Sequence, residues 1–318
     1  MIGDGFGGGR FMARVLGILG SARVDGYTIR VLREALKGAE SISGVETELI
    51  RLLDYRFGPC TSCYECIRMR EHRCILPDDM GRRGEGKLWR KIEKANGLII
   101  ASPVHFWSAD ALTHLFIERL YPFIWSGELK GIPVVTISVA SNQGFQIIAN
   151  KMLCEWAFTL SMRYIGGLPV HAAYLDEALA EARYLGVKLG KAALKDEEEG
   201  RKPLTDEEKW LIYQDKPWKV FINYLENLTM GTGDPTLSII RRALARRVFK
   251  RKEAIDLLRK ADEEFEKFSH HYSLGEIKEA IRSLVRVSAL WTHATWKEFL
   301  EEKLIKASPP EAYHPIDE

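Results

Sequence analysis

Short apolar runs alternate with helical periodicity through the first half of this chain. Residues 13–20 (ARVLGILG) form an apolar run closed by glycine, the pattern of a parallel strand buried on both faces. A polar turn follows over 21–26. From about Tyr27 the apolar positions Ile29, Leu32, Leu36 and Ala39 recur at helical spacing. The same reading predicts strands over 45–49, 97–102, 132–139 and 163–170, and helices over 87–95, 108–121, 146–162 and 176–195. Strands alternating with helices over about 180 residues predict an α/β fold, a doubly wound five-stranded parallel sheet with helices on both faces. Such sheets bind ligands outside the carboxyl ends of their strands, where strand order reverses. That rule singles out the loops 21–28, 102–108 and 140–146.

The pattern changes at the charge-rich stretch 197–205 (EEEGRKPLT), read as a linker. Beyond it only helices are predicted. Ala254, Leu257, Leu258, Ala261, Phe265 and Phe268 make one apolar stripe, and Ile277, Ile281, Leu284, Val285, Ser288 and Trp291 make another. The expected organisation is therefore an N-terminal extension over 1–12, an α/β domain over 13–200 and an all-helical extension over 201–318. The glycine-rich GDGFGGGR near the start superficially matches a dinucleotide fingerprint. It precedes the first strand, whereas the fingerprint must follow a strand and open a helix. It reads as a floppy extension, with Met12 as a candidate natural start.

Composition narrows the function classes. The chain is 46% hydrophobic and 28% charged, with a net charge of +2, so nucleic acid and membrane are not expected as main partners. No apolar run approaches the ~18–20 residues of a membrane span. With no signal-peptide pattern, a reducing cytoplasmic setting is expected.

The chemistry concentrates in Cys60-x2-Cys63-x2-Cys66-x7-Cys74. Thiolates suit iron–sulfur clusters, zinc and copper(I). A cubane cluster offers separate corners to closely spaced cysteines, and bacterial ferredoxin runs begin with the same C-x2-C-x2-C step. Zinc sites usually combine two well-separated pairs, and here the middle cysteine would belong to both. A C-x-x-C redox pair from Cys60 and Cys63, or Cys63 and Cys66, leaves two cysteines without a role. Cys154 lies in an apolar helical stretch and reads as a small buried hydrophobe.

The three loops carry groups suited to a phosphate and a flat ring. Ser21, Arg23 and Thr28 flank the first helix start, where an anion would meet free N–H groups; ordinary helix capping is the competing reading. Residues 102–108 (SPVHFWS) offer main chain and aromatic rings, or simply cover the sheet. Residues 140–144 (ASNQG) offer polar groups, or simply begin the next helix.

GILGSARVDGYT resembles the phosphate loop, usually GSPRxxGNT, of the NADPH-dependent FMN reductase family. ASPVHFWSADALTHLFIER resembles that family's second signature, usually GSPVYFGSVSAQLKxFIDR. The cysteine run followed by Asp78, Asp79 and Met80 resembles the iron–sulfur flavoprotein subgroup. The resemblance covers residues 13 to about 195. It implies a flavodoxin-like fold, and FMN held through Ser21, Arg23, Tyr27 and Thr28 at the phosphate. Pro103, Val104, His105, Phe106 and Trp107 would line the ring and ribityl chain, and Ser141, Asn142 and Gly144 the other side. It also implies a 4Fe–4S cluster on Cys60, Cys63, Cys66 and Cys74, and a homodimer or homotetramer. Departures are Ala22 for the usual proline, Tyr27 for asparagine, His105 for tyrosine and Trp107 for glycine.

The implied activity is electron transfer from a one-electron carrier such as ferredoxin, through cluster and FMN, to a small-molecule acceptor. NAD(P)H is the alternative co-substrate. No side chain need act as a nucleophile, and His105 is read as either a proton donor to flavin or a packing residue. Two rival readings stand: an NAD(P)H:FMN or quinone reductase whose cysteines hold zinc or nothing, and a non-catalytic redox sensor. The basic stretch 241–252 reads as a docking surface for an acidic ferredoxin or as a solvated helix face. His270, His271 and His293 lack the Glu-x-x-His step of di-iron bundles.

Overall fold

The computed structural model describes residues 12–214 and 220–300. The expected N-terminal extension, Met12 apart, lies outside them. β1 (Ala13–Leu19), β2 (Val45–Arg51), β3 (Gly97–His105), β5 (Pro133–Ala140) and β6 (Arg163–His171) form a parallel sheet in the order β2-β1-β3-β5-β6. The two-residue β4 (Ser108–Ala109) pairs antiparallel with the end of β3. Leaving β4 aside, this is the 2-1-3-4-5 order of the flavodoxin-like fold, whose switch point lies between β1 and β3.

Strand periodicity sorts the core into two layers. Val15 and Leu19 of β1 face one side with Ile99, Val135 and Ile137, under α1 (Tyr27–Glu40) and α7 (Leu175–Glu199). Leu16 and Ile18 face the other side. There they meet α3 (Lys87–Glu93), α4 (Ala111–Glu118), α5 (Tyr121–Ser126) and α6 (Gln146–Thr159) through Trp89, Phe116, Phe123 and Leu153. Cys154 is wholly buried in that layer, as a hydrophobe should be. α1 and α7 approach closely enough that a Cβ on Gly186 would strike the Ala35 carbonyl and one on Gly38 the Arg183 carbonyl.

Past residue 199 the described residues hold no strand. α8 (Asp206–Gln214), α9 (Val220–Leu228), α10 (Ile239–Ala245), α11 (Lys252–Ser273) and α12 (Ile277–Thr295) share a separate core of Trp210, Phe265, Phe268, Ile281 and Leu284. α8 also reaches the sheet layer, where the buried Tyr213 hydroxyl donates to the Met162 carbonyl at 2.8 Å.

The structure redraws some boundaries. β3 continues three residues past the expected end, through His105, then reverses at Phe106 (φ 48°) and Trp107 (φ 66°) into β4. The apolar run ended at Ala101, which is also the last β3 partner of β1. Of the helix expected over 108–121, residues 108–109 are strand β4, 111–118 are α4, and a second helix, α5, begins only at Tyr121. Asp110 caps α4 by accepting from the Leu112 and Thr113 amides at 3.0 and 3.3 Å, and Pro122 opens α5. α7 extends through Glu199, so the linker shortens to 200–205.

Candidate functional site

A cavity of about 580 Å³ opens at the carboxyl ends of β1, β3 and β5. That lies inside the ~300–1,000 Å³ range of small-molecule sites. Its lining includes Ser21, Arg23, Tyr27, Thr28, Pro103, Val104, His105 and Ser141. Phe106, Trp107, Asn142 and Gly144 stand on the neighbouring loops, outside that lining. Phe106 is fully exposed, and Trp107 stacks on Phe145 across the two loops, centroids 4.3 Å apart.

The first turn of α1 is left open to a ligand. Its N-cap is Gly26, with no side-chain capping bond, which removes the capping role for Ser21 and Thr28. Ser21 and Thr28 are buried, and the Ser21 hydroxyl accepts from the Arg23 amide at 3.2 Å, shaping the turn before the helix. A helix N-terminus without a cap is a natural anion site.

Sequence reasoning missed the cavity floor. The Asp110 carboxylate accepts from the Ser102 hydroxyl at 2.8 Å and from the Thr113 hydroxyl at 2.5 Å, and the Ser102 oxygen accepts from the Asp110 amide at 2.9 Å. A Cβ on Gly20 would land on Thr113 and Asp110, so only glycine fits there. On the far rim, Nδ1 of His171 accepts from the Ala173 amide. This leaves Nε2 as the donor to the Asn142 carbonyl at 3.1 Å, steadying the 141–145 loop.

All four clustered cysteines line a second cavity, of about 350 Å³, walled by Ile117, Arg119, Tyr121, Pro122, Ile124 and Trp156. Cys60 and Cys63 sit on the loop after β2, Cys66 lies in α2 (Glu65–Arg68), and Cys74 follows it. All are free thiols. Burial first, and then the neighbouring Cys74, Cys60 and Cys63, push the Cys66 thiol up to about 12. Those mutual effects mark the four sulfurs as neighbours. Among the described residues no three His, Cys, Asp or Glu side chains form a metal-ligating cluster. The four sulfurs share one chamber, and thiolates are soft donors suited to iron–sulfur clusters or zinc. The Ser62 amide donates to the Cys60 sulfur at 3.4 Å.

Arg119, the last residue of the second signature, ties this loop together, a role the signature alone does not state. It is 2% exposed. One guanidinium nitrogen donates to the Gly58 carbonyl at 2.7 Å and to Asp78 at 2.6 Å; the other donates to Asp78 at 2.9 Å and to the Cys74 sulfur at 3.3 Å. Burial works to raise the Asp78 pKa, but the Arg119 hydrogen bond and charge prevail and hold it below the usual range. α4 joins the two cavities. Asp110, Ala111 and Leu112 line the first, and Ile117, Glu118 and Arg119 line the second. The helix rises roughly 8–14 Å between these two groups at 1.5 Å per residue.

Residues 13–174 match the family model described as NADPH-dependent FMN reductase. An iron–sulfur flavoprotein of Archaeoglobus fulgidus is 30% identical over 183 residues, 56% of this chain and 80% of that protein. An iron–sulfur flavoprotein of Methanocaldococcus jannaschii is 31% identical over 170 residues, 53% of this chain and 84% of that protein. Among solved structures, a flavodoxin from the domain Archaea aligns with a TM-score of 0.39 at 12% identity, covering 57% of this chain and 98% of that one.

Proposed function

Because the chain belongs to the NADPH-dependent FMN reductase family, within its iron–sulfur flavoprotein subgroup, and is a flavin-dependent oxidoreductase, we propose that it passes single electrons between a 4Fe–4S cluster on Cys60, Cys63, Cys66 and Cys74 and FMN in the cavity over β1, β3 and β5, and delivers pairs to a small acceptor. One observation carries this reading: four free thiols line a single cavity at one end of α4, while the other end of α4 opens the flavin cavity. When bound, the cluster would supply one-electron storage and the flavin the exchange between one- and two-electron chemistry.

The chain's own residues supply binding and orientation. Ser21, Arg23 and Thr28, with the uncapped start of α1, would hold the flavin phosphate. Pro103, Val104 and His105 form the wall for the ring system, and Ser141 the opposite side. His105, exposed at that wall, is the proton donor within reach of bulk water. Arg119 fixes Cys74 and draws the Gly58 and Asp78 ends of the cysteine loop onto α4. The buried Asp110–Ser102–Thr113 group sets where α4 begins, and so how far apart the two cavities stand.

A ferredoxin-type carrier as donor, NAD(P)H as an alternative donor and a cytoplasmic setting belong to the same proposal. Among the described residues no helix is long and apolar enough to cross a membrane. Self-association into a homodimer or homotetramer is supported by exposed apolar residues beside the flavin cavity: Phe106, Trp107, Ile147 and Ile148. A cluster-free NAD(P)H:FMN reductase is the second reading, favoured by the lack of a closed ligating set among the described residues.

A serine series separates the two readings. Cys60→Ser, Cys63→Ser, Cys66→Ser and Cys74→Ser, purified without oxygen, should each lose iron and the broad visible band while keeping stoichiometric flavin. Wild-type protein that carries flavin but no iron supports the cluster-free reading.

A further inference from the structure

The helices beyond residue 199 lie past the family match, yet the turn that follows them packs on residues beside the cysteine cavity. Trp296 opens a π turn (Trp296–Leu300) after α12 and packs with Ile67, the neighbour of Cys66, and with Trp125 of α5. The Trp296 and Trp125 rings lie 5.8 Å apart, and Trp125 lies 6.0 Å from Tyr121, which lines the cavity. A continuous row of aromatic rings thus runs from the helical layer to the thiols.

The outer end of that row meets the basic stretch 241–252. Two residues beyond Trp296, the Glu298 carboxylate accepts from the Lys250 and Arg251 amides at 2.9 and 2.8 Å, and the Arg251 guanidinium donates to the Lys297 carbonyl at 2.6 Å. These bonds pin the turn between α10 and α11 beside Trp296. Phe249 anchors the turn from beneath, buried against Trp291. Arg241, at the start of the basic stretch, is occupied by Asp262 and Glu266. Arg242, Arg246, Arg247, Lys250 and Lys252 are exposed. Against them stand Glu253, exposed in the first turn of α11, and Glu298, whose carboxylate is taken up by backbone amides. A local excess of cations on a molecule of net charge +2 makes this turn a focus for an acidic partner.

We propose that the basic turn between α10 and α11 is the docking surface for a small acidic protein that carries single electrons, set beside the aromatic row Trp296–Trp125–Tyr121 leading to the cysteine cavity. The inference rests on the cluster reading above and assigns its electron entry. In the step, the docked carrier is oxidised by one electron and the thiolate-held centre is reduced by one; no bond forms or breaks and no proton moves. Binding itself needs only the surface charge.

The test uses the holoprotein, a plant-type acidic ferredoxin as probe, and the variant Arg246→Glu/Arg247→Glu/Lys250→Glu. None of these side chains lines either cavity. Calorimetric affinity and the rate of chromophore reduction by reduced ferredoxin are measured at low and near-physiological salt. The wild type should bind with an affinity that falls as salt rises. The variant should lose at least ~10-fold in affinity and in second-order rate, with a flattened salt dependence. Reduction by dithionite should be unchanged. The neutral Arg246→Gln/Arg247→Gln/Lys250→Gln protein should fall between, and it serves if the charge-reversed form misfolds. Trp296→Phe should retain both affinity and rate, whereas Trp296→Ala should retain affinity and lose rate. Salt-independent wild-type affinity, or equal affinity in wild type and variant, overturns the proposal. So does a surface that loses duplex DNA binding on charge reversal while ferredoxin is indifferent. Loss of the cluster reading shows itself separately, as wild-type protein without iron, whatever the ferredoxin affinity.

Discussion

Replacing Arg119 by methionine removes a guanidinium while keeping most of the side chain's length and bulk. Four acceptor contacts disappear together: the Gly58 carbonyl, both Asp78 oxygens and the Cys74 sulfur. Removing one partner of a buried ion pair costs about 3–5 kcal/mol. Asp78 is not wholly dry, its side chain being 18% exposed, and the Met80 amide still donates to it at 3.0 Å. Those residual contacts lower the expected cost to about 2–4 kcal/mol. At roughly 2 °C per kcal/mol for a chain of this size, the melting temperature should fall by about 4–8 °C. Hydrogen exchange should accelerate at amides of 58–80 before it does in β1 or β5. The pair also makes a coupling test. In Asp78→Asn/Arg119→Met no unpaired carboxylate remains, so the double variant should be more stable than the sum of the two single losses implies, by roughly 1–3 kcal/mol. Thermal melts of the four proteins in matched reducing buffer provide the assay. A fall of under 1 °C for Arg119→Met, or strict additivity in the cycle, would refute the clamp.

Acid should loosen the same clamp. The folded Asp78 carboxyl sits below its unfolded value near 3.9, so its stabilisation is full above that pH and is lost as pH falls through the lower folded pKa. Melts from pH 5 down to pH 2 should fall more steeply in wild type than in Asp78→Asn. Gly20→Ala drives a methyl group into Thr113 and Asp110, and flavin retention on gel filtration should collapse with the α4 cap. Arg23→Ala should weaken FMN about 10- to 100-fold by fluorescence titration of apoprotein, the range of a lost charge-assisted bond of ~1.5–3 kcal/mol. Trp296→Ala opens the cover over Ile67 and Cys66, so reduced apoprotein should show faster modification of its clustered thiols by a chromogenic disulfide, with Cys154 still protected.

The parallel strands were legible because residues buried on both faces leave nearly unbroken apolar runs, as 13–20 and 132–139 do. A cavity was expected from the rule that ligands sit at strand ends, and the loops carrying Ser21, Pro103 and Ser141 converge on one. The reversal at Phe106 and Trp107 was not legible. Both adopt positive φ, a conformation usually announced by glycine or asparagine, and these bulky residues give no such signal. Cysteine spacing brought the four thiols to notice, but not what surrounds them. The pairing of Arg119 with Asp78 spans 41 residues, and Trp296 reaches Ile67 from the far side of a second core. Contacts of that range come from packing between layers, which local periodicity does not encode.

Iron, acid-labile sulfide and flavin should be counted on one sample of wild-type protein, purified and assayed without oxygen. If Cys60, Cys63, Cys66 and Cys74 hold a cubane beside FMN, about four irons and four sulfides accompany each flavin. Flavin with zinc, or flavin with no metal at all, would contradict the account at its centre.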